Sequence, residues 1–348
     1  MTVSRAEATT AVRPADQPVL SVRDLSVLLF TETATVRAVT DAGYDVGRGE
    51  ALAIVGESGS GKTVMNLAPL GLLPGGVRAV VGGSVKLSGE DLAVASEERM
   101  MQVRGRKVGV VFQDPLSALN PNRRVGPQIE EVLQLRLGLD RNASRARAIE
   151  LLTMVGIPEP DRRLRLFPHQ MSGGMRQRVM IAIAIAGDPE LLIADEPTTA
   201  LDVTIQAQLL ELLAGLQRQL HMAMVLVTHD IGVVARIADK VAVMYAGTIV
   251  EIGTVRDVLK RPRHPYTRAL LAAVPAPDAE VGSRFVGLTG SPPDLSNPPA
   301  GCAFAPRCVL VQPECRLAAP RLATAGGDHR AACWMTTPHS TGDQEFAR

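Results

Sequence analysis

The sequence lacks an apolar segment long enough to cross a membrane. Its longest uninterrupted apolar stretch, Val179 to Ala186, is far shorter than the roughly 20 residues that span a bilayer. The first residues, Met1 to Pro18, mix charged residues with Thr and Pro and have no signal-peptide apolar core, so we expect a disordered lead-in. The sequence therefore predicts a cytoplasmic protein whose role at any membrane comes through a partner.

The chain also lacks an excess of charge of either sign. Its 348 residues include 37 Lys and Arg against 36 Asp and Glu, which gives a net charge of +1. This balance gives no support for binding nucleic acid or an anionic membrane along the whole sequence. Hydrophobic residues make up 46%, enough for a substantial core, and the length favours about two domains.

Aromatic residues and cysteines are both scarce. Aromatics are only 3% of the chain, so few side chains are candidates for stacking on a ligand. The cysteines all lie in the last 50 residues, at Cys302, Cys308, Cys315 and Cys333. In a cytoplasmic protein, such clustering favours a metal or cluster site over disulfides.

What the chain does contain is an alternation of strand and helix patterns. Ala51–Val55, Leu191–Ala194 and Ala223–Val227 are short apolar runs, and Ile205–His221 between the last two has helical spacing. Such alternation is typical of a parallel sheet with helices on its faces. Val19–Leu28 alternates loosely between apolar and polar residues and predicts an edge strand.

Two regions depart from this alternation. From about residue 115 to 170, apolar residues recur at helical spacing, which predicts a helical insertion. After about Ala273, closely spaced prolines punctuate a stretch without periodicity, which marks a linker and a small, loop-rich second domain. The predicted divisions are residues 1–18, 19–273 and 274–348.

Residues 56–63 match the phosphate-loop pattern G-x-x-x-x-G-K-[ST], with a strand before them and a helix-capable segment after them. The glycines let backbone N–H groups converge on phosphates, while Lys62 reaches the β- and γ-phosphate oxygens and Thr63 ligates Mg²⁺. The predicted ATP-binding residues are therefore Gly56, Glu57, Ser58, Gly59, Ser60, Gly61, Lys62 and Thr63.

Two adjacent carboxylates end the second of the apolar runs. Asp195 is suitably placed to hold Mg²⁺, and Glu196 to orient or deprotonate an attacking water. Adjacent carboxylates repel each other unless a cation or a function offsets the cost. Beside a phosphate loop, they predict hydrolysis of a nucleotide rather than a solvated acidic turn.

The segment Met171-Ser172-Gly173-Gly174-Met175-Arg176-Gln177 lies about twenty residues before this acidic pair. With that pairing, the chain resembles the ABC transporter ATPase family over roughly residues 19–275. The resemblance implies an α/β fold, a P-loop (RecA-like) ABC nucleotide-binding domain with a helical subdomain. A small Cys-containing C-terminal domain follows it.

The resemblance assigns roles to further residues. Gln113 falls at the Q-loop position, which implies contact with Mg²⁺ or the lytic water and coupling to a membrane partner. Thr199 to Asp202 matches the D-loop, and His229 matches the switch histidine that senses the γ-phosphate. Phe30 is the nearest candidate for stacking on adenine, with packing at the edge of the core as the alternative.

Ser172, Gly173 and Gly174 open a helix, so their N–H groups and the helix dipole form a second anion site. Taken alone, Ser172 is an ordinary helix N-cap. The resemblance implies that this segment contacts the γ-phosphate held by an opposing subunit, with two ATPs between two chains. Met175 stands where the commonest family form has Gln, one step past the N–H donors, and should not abolish that contact.

The signature segment, residues 194–204 and His264-Pro265-Tyr266-Thr267 resemble the ATPases of oligopeptide and dipeptide permeases. The resemblance implies a peripheral subunit at the cytoplasmic face of the cell membrane. Its partners would be a second ABC ATPase subunit (a related chain or itself), two transmembrane permease subunits and an extracellular substrate-binding protein, with no nucleic acid.

Three alternatives stay open. The same machinery serves importers of other solutes, such as nickel or an opine-like compound. A soluble ABC ATPase acting on ribosomes or DNA is disfavoured, because the chain has no second cassette, long coiled coil or basic patch. A regulatory module without hydrolysis is disfavoured by the presence of both Glu196 and His229.

The cysteine spacing, Cys302-x5-Cys308-x6-Cys315-x17-Cys333, lacks the close C-x2-C pairs common in zinc sites. Four thiolates hold either a tetrahedral zinc ion or a [4Fe–4S] cluster. The resemblance implies a [4Fe–4S] cluster with a structural role, while zinc and free or structural thiols remain alternatives.

Overall fold

The computed structural model describes residues 17–73, 75, 77–199, 201–273 and 288–336. Residues 1–16 of the expected disordered lead-in therefore lie outside the described part. The strands are β1 Leu20–Phe30, β2 Thr35–Val46, β3 Ala51–Val55, β4 Arg78–Leu87, β5 Glu90–Asp91, β6 Val108–Val111, β7 Leu191–Asp195, β8 Ala223–Val227, β9 Lys240–Tyr245, β10 Thr248–Thr254, β11 Ala323–Gly326 and β12 His329–Ala331.

The described helices range from 4 to 18 residues, and most begin at a capping side chain. They are α1 Lys62–Leu67, α2 Glu97–Val103, α3 Pro115–Ala118, α4 Val125–Leu137, α5 Arg141–Met154, α6 Pro160–Arg163, α7 Gly173–Ile185, α8 Val203–Leu220, α9 Ile231–Ile237, α10 Val255–Lys260, α11 Pro265–Ala272 and α12 Pro313–Leu317. None of the described helices is long and apolar enough to cross a membrane.

The larger sheet is parallel at its centre. Its strand order is β11-β12-β10-β9-β3-β8-β7-β6, and β9, β3, β8, β7 and β6 pair in parallel. Every residue of β3, β7 and β8 is buried, because helices and the second sheet cover both faces. The carboxyl ends of these strands meet at one edge, which is where α/β sheets place their ligand sites.

The smaller sheet is antiparallel, in the order β2-β1-β4-β5. The prediction of an edge strand over Val19–Leu28 is wrong, because β1 pairs with β2 on one side and with β4 on the other. Alternation of apolar and polar residues indicates that one face of a strand is buried. It does not indicate whether the strand has a hydrogen-bonded neighbour on one side or on both. In β1 the buried face includes Leu20, Val22, Leu25 and Val27.

Helices α3 to α6 occupy the stretch for which a helical insertion was predicted. α4 and α5 pack on each other and on α7. The core between them is aliphatic, with Ile129, Leu133, Leu151, Leu152 and Val179 each at most 1% exposed. α7 thus joins the helical layer to the sheet, because it also packs on β6.

The C-terminal segment, residues 288–336, extends the larger sheet at one edge and also contacts the smaller sheet. β12 pairs with β10, so that Ile252 lies opposite Arg330, and β11 completes an antiparallel hairpin. The Arg37 N–H also donates a hydrogen bond to the Leu295 carbonyl, at 3.0 Å. Strands of four and three residues are too short to show periodicity, which is why the sequence predicts only loops here.

Candidate functional site

The loop of residues 56–63 joins β3 to α1 through close backbone contacts. A Cβ atom on Gly56 would lie 2.1 Å from the Met244 carbonyl oxygen, and one on Gly61 would lie 2.3 Å from the Ala38 oxygen. Gly61 also has a φ of 99°, in the left-handed region. Glycine is therefore required at both positions for the loop to fold against its neighbours.

Lys62 turns back over this loop. Its Nζ donates to the carbonyl oxygens of Gly56 and Glu57, each at 2.9 Å. Burial lowers the pKa of Lys62, while the carboxylates of Glu196, Asp195 and Glu57 oppose that shift. The ammonium group thus lies at the start of α1, where a cation beside the helix N–H groups is placed to bind an anion.

Thr63 and Asp195 lie side by side, as two ligands of one cation must. The Thr63 hydroxyl donates to Asp195 Oδ1 at 2.9 Å. Burial raises the pKa of Asp195, and the neighbouring Glu196 charge raises it further, whereas the Thr63 hydrogen bond and Lys62 lower it. A divalent cation between the hydroxyl and the carboxylate would offset this cost of burying charge.

Glu196 stands at the centre of the polar groups that follow β6, β7 and β8. Gln113 Nε2 and the Thr199 hydroxyl each donate to Glu196 Oε2 at 3.2 Å, and His229 Nδ1 lies 3.6 Å from the same oxygen. The Glu196 N–H donates to the Val227 carbonyl, and its φ of 44° is left-handed. This backbone turn aims the carboxylate across the strand ends.

The segment from Ser172 to Met175 lies apart from this group. Ser172 caps α7 and accepts the Met175 N–H at 3.3 Å. A Cβ on Gly174 would lie 2.9 Å from Ile205 Cγ2, so glycine allows α7 to approach α8. Within the described part of the chain, no hydrogen bond or ion pair joins these residues to the loop of residues 56–63 or to Glu196.

Two other candidate residues have local partners. Phe30 ends β1 with 38% of its surface exposed, and the Arg78 guanidinium lies 5.7 Å from its ring centre. The ring is therefore not packed within the core. Asp202 caps α8 by accepting the Ile205 N–H at 3.0 Å, and it follows residue 200, which the structure does not describe.

The four cysteines line one small cavity between α11 and the C-terminal segment, together with His264 and Phe304. All four are free thiols. Burial raises the pKa of Cys302, Cys308 and Cys333, which favours neutral thiols where no cation is bound. As they lie, no three His, Cys, Asp or Glu side chains among the described residues are grouped closely enough to hold a metal ion.

Sequence reasoning missed two contacts with the phosphate loop. The Glu57 N–H donates to the Tyr266 hydroxyl at 2.9 Å, and Arg307 Nη1 donates to Glu57 Oε2 at 2.9 Å. The sequence marks Tyr266 only as part of the His264–Thr267 motif, and it predicts no role for Arg307 at this site. No local pattern signals a contact between side chains 250 positions apart.

Two family models match the chain. Residues 39–199 match the model described as ABC transporter. Residues 250–315 match the model described as the oligopeptide/dipeptide transporter C-terminal region. The second match begins in β10 and includes α11 and three of the four cysteines.

Curated relatives from Bacillus subtilis strain 168 are similar along nearly the whole chain. The dipeptide transport ATP-binding protein DppD is 46% identical over 319 residues, which cover 92% of this chain and 95% of that protein. The oligopeptide transport ATP-binding protein OppD is 47% identical over 319 residues, which cover 92% of this chain and 89% of that protein.

Among solved structures, a dimeric ATP-binding cassette in a post-hydrolysis state with bound ADP and Pi has a TM-score of 0.60. It is 28% identical, and the match covers 68% of this chain and 99% of the other.

Proposed function

The chain belongs to the ATP-binding subunits of oligopeptide and dipeptide ABC transporters, and on that premise we propose that it hydrolyses ATP to power peptide import. The observation that carries the proposal is the meeting of Gln113, Glu196 and His229 beside Lys62 and Asp195. A catalytic carboxylate next to a phosphate-binding cation is what nucleotide hydrolysis requires.

Each side chain has a proposed task. The loop N–H groups and Lys62 bind the phosphates, and Phe30 stacks on the adenine. Glu196 takes a proton from the attacking water, and its hydrogen bond from Gln113 orients it. His229 positions the γ-phosphate. Thr63, Asp195 and Gln113 would hold Mg²⁺, which neutralises phosphate charge when bound.

We propose that Ser172, Gly173, Gly174 and Met175 act on a second subunit. Within the described residues, the N–H groups of Gly173 and Gly174 have no acceptor, so the start of α7 retains free donors for an anion. These donors do not contact the chain's own phosphate loop. A partner ATPase subunit, identical or related, would supply the phosphate that they bind.

The permease is proposed to dock at an apolar groove of about 220 Å³ beside the Gln113 loop. The groove lies between the sheet edge and the helical layer, and Leu72, Phe112 and Val132 line it, with Arg104 and Arg136. Phe112 immediately precedes Gln113. Insertion of a permease segment here would therefore act on a loop that touches Glu196. On this basis we propose that the subunit lies peripherally on the cytoplasmic face of the membrane.

The test is reconstitution with permease subunits and a binding protein of the oligopeptide or dipeptide type. Peptide should stimulate ATP hydrolysis and accumulate in proteoliposomes, whereas nickel or an opine-like solute should not. A charge placed in the groove by Leu72→Glu should lower the stimulated rate by about tenfold and leave ATP binding unchanged. Leu135→Glu, on the 71% exposed Leu135 of α4, is the matched control.

A rate of ATP hydrolysis that is the same with and without the permease would contradict the transport role and favour a soluble ATPase. Stimulation by another solute in place of peptide would contradict the proposed cargo alone. Equal stimulation of wild type and Leu72→Glu would contradict the docking groove.

We further propose that residues 274–348 form the extension of a 19–273 ATPase domain and that its four cysteines hold a [4Fe–4S] cluster. The support is that all four thiols line one apolar cavity, although as they lie they are too far apart to share a metal ion, so binding would have to draw them together. When bound, such a cluster cross-links the segment. The cysteines would hold it, and His264 and Phe304 would shield it from water.

Anaerobically purified protein should contain about four iron atoms per chain and absorb visible light. Cys315→Ser should remove most of the iron, because this buried thiol is one of only four ligands. Ser296→Ala, in the same segment, is the control. A colourless, iron-free protein that is folded would exclude the cluster, and stoichiometric zinc would replace it with a zinc site.

A further inference from the structure

A buried arginine of the C-terminal segment reaches the phosphate loop. The Arg307 side chain is only 5% exposed. Its Nη1 donates to Glu57 Oε2 at 2.9 Å and to the Tyr245 hydroxyl at 3.2 Å, while its Nε donates to the Thr289 carbonyl at 2.9 Å. A planar guanidinium with these acceptors is held in one orientation.

The position of Arg307 is set by aromatic packing rather than by its own contacts alone. Phe304, at the start of the same turn, packs edge-on against Tyr245 and Tyr266, with ring centroids 5.3 and 5.4 Å apart. The two tyrosine rings lie 4.5 Å from each other. Both hydroxyls point to the Glu57–Arg307 pair, because one accepts the Glu57 N–H and the other accepts from Arg307.

Glu57 places a carboxylate in a loop whose task is to bind anionic phosphates. Its carbonyl oxygen already accepts a hydrogen bond from Lys62 Nζ, and its charge acts on that ammonium group. An unpaired carboxylate here would repel phosphate and hold Lys62 away from it. The ion pair with Arg307 removes this repulsion.

We propose that Arg307 is a positioning residue for ATP binding: it neutralises Glu57, so that the phosphate loop presents net positive charge to the nucleotide. The inference rests on the proposed ATPase function and extends it. The C-terminal segment, through Arg307 and Phe304, sets the affinity of a site built by residues far earlier in the chain.

The test measures the affinity of the full-length protein for a fluorescent ATP analogue, with ATP turnover measured alongside. Arg307→Gln should weaken binding by about tenfold, because it leaves the Glu57 charge unpaired. Glu57→Gln should tighten binding about twofold, and the double variant should bind within about threefold of wild type. The turnover number at saturating ATP should not change in Arg307→Gln. Arg316→Gln, an exposed arginine of the same segment, is the control.

Recovery of ATP affinity when Glu57→Gln is added to Arg307→Gln would show that Arg307 acts by neutralising Glu57 and not by packing. A double variant as weak as Arg307→Gln would overturn the proposal, because Arg307 would then act by holding the segment in place. Arg307→Lys keeps the charge but loses the planar contacts, so it should bind ATP more tightly than Arg307→Gln and less tightly than wild type. Equal weakness of the Lys and Gln variants, at unchanged melting temperature, would also overturn it.

Failure of the proposed function looks different. Wild-type protein that does not bind ATP, or binding unaffected by Lys62→Ala, would contradict the ATPase assignment itself. If the wild type binds ATP and Lys62→Ala does not, the ATPase assignment stands. The affinities of the Arg307 and Glu57 variants for ATP then test only the interaction between those two residues.

Discussion

Glu196→Gln is expected to lower the ATP turnover number by about 10²- to 10⁴-fold while ATP binding is retained. The amide keeps the size of the side chain and still accepts a hydrogen bond, so the contacts with Gln113 and Thr199 survive. It cannot take a proton from water. Turnover by the reconstituted transporter and nucleotide affinity, measured on the same preparation, separate the two effects.

Glu150→Gln is the matched control for the loss of a carboxylate. Glu150 lies on α5, mostly exposed, and pairs with Arg147 on the surface. Its turnover should stay within about twofold of wild type, since surface substitutions away from special features have little effect. A Glu196→Gln protein that retains near wild-type turnover would show that another group accepts the proton.

The meeting of the polar side chains around Glu196 was predictable, because each of them carries a local signal. Gln113, Asp195 and His229 follow apolar runs that the sequence shows as strands, and parallel strands bring their carboxyl ends to one edge. β8 has the predicted bounds, Ala223–Val227. α8 begins two residues earlier than its apolar pattern, because Asp202 caps it by accepting the Ile205 N–H.

The contacts of the C-terminal segment were not predictable, because they join residues far apart in sequence. Neither the Arg307–Glu57 pair nor the pairing of β12 with β10 follows from spacing or periodicity. Proline-rich, aperiodic sequence predicts loops, but the described part of this segment also forms the β11–β12 hairpin and docks through a few specific side chains. The His264–Thr267 motif also makes a contact that its sequence does not signal, since Tyr266, in α11, accepts the Glu57 N–H of the phosphate loop.

The same docking explains the buried histidines. Glu251 on β10 is fully buried and accepts the N–H groups of Arg263 and His264, at 2.7 and 2.8 Å. His329 Nε2, at the start of β12, lies 2.7 Å from Glu251 Oε1. One carboxylate therefore ties the hairpin to the approach to α11, the helix that carries Tyr266.

His329→Ala is expected to lower the free energy of unfolding by about 3–5 kcal/mol, because the buried Glu251 carboxylate loses its imidazole partner and keeps only the N–H groups of Arg263 and His264. The smaller side chain also leaves a cavity beside Gly253, whose Cβ position lies 3.1 Å from the His329 ring. Urea denaturation followed by circular dichroism measures the change. Asp328→Ala, in the exposed turn of the same hairpin, should change it by less than about 0.5 kcal/mol.

Measuring His329→Ala in a Glu251→Gln background separates the loss of the Glu251–His329 contact from the loss of packing. In Glu251→Gln protein the buried carboxylate is absent, so adding His329→Ala should cost less than it does in the wild type, by about 1–3 kcal/mol. Equal costs in both backgrounds would assign the effect to the cavity.

The shape of the unfolding transition bears on the proposed domain division near residue 273. If the hairpin unfolds alone in His329→Ala protein, a first transition at low urea should leave the parallel sheet folded. One cooperative transition would instead show that the extension and the ATPase domain form a single folding unit.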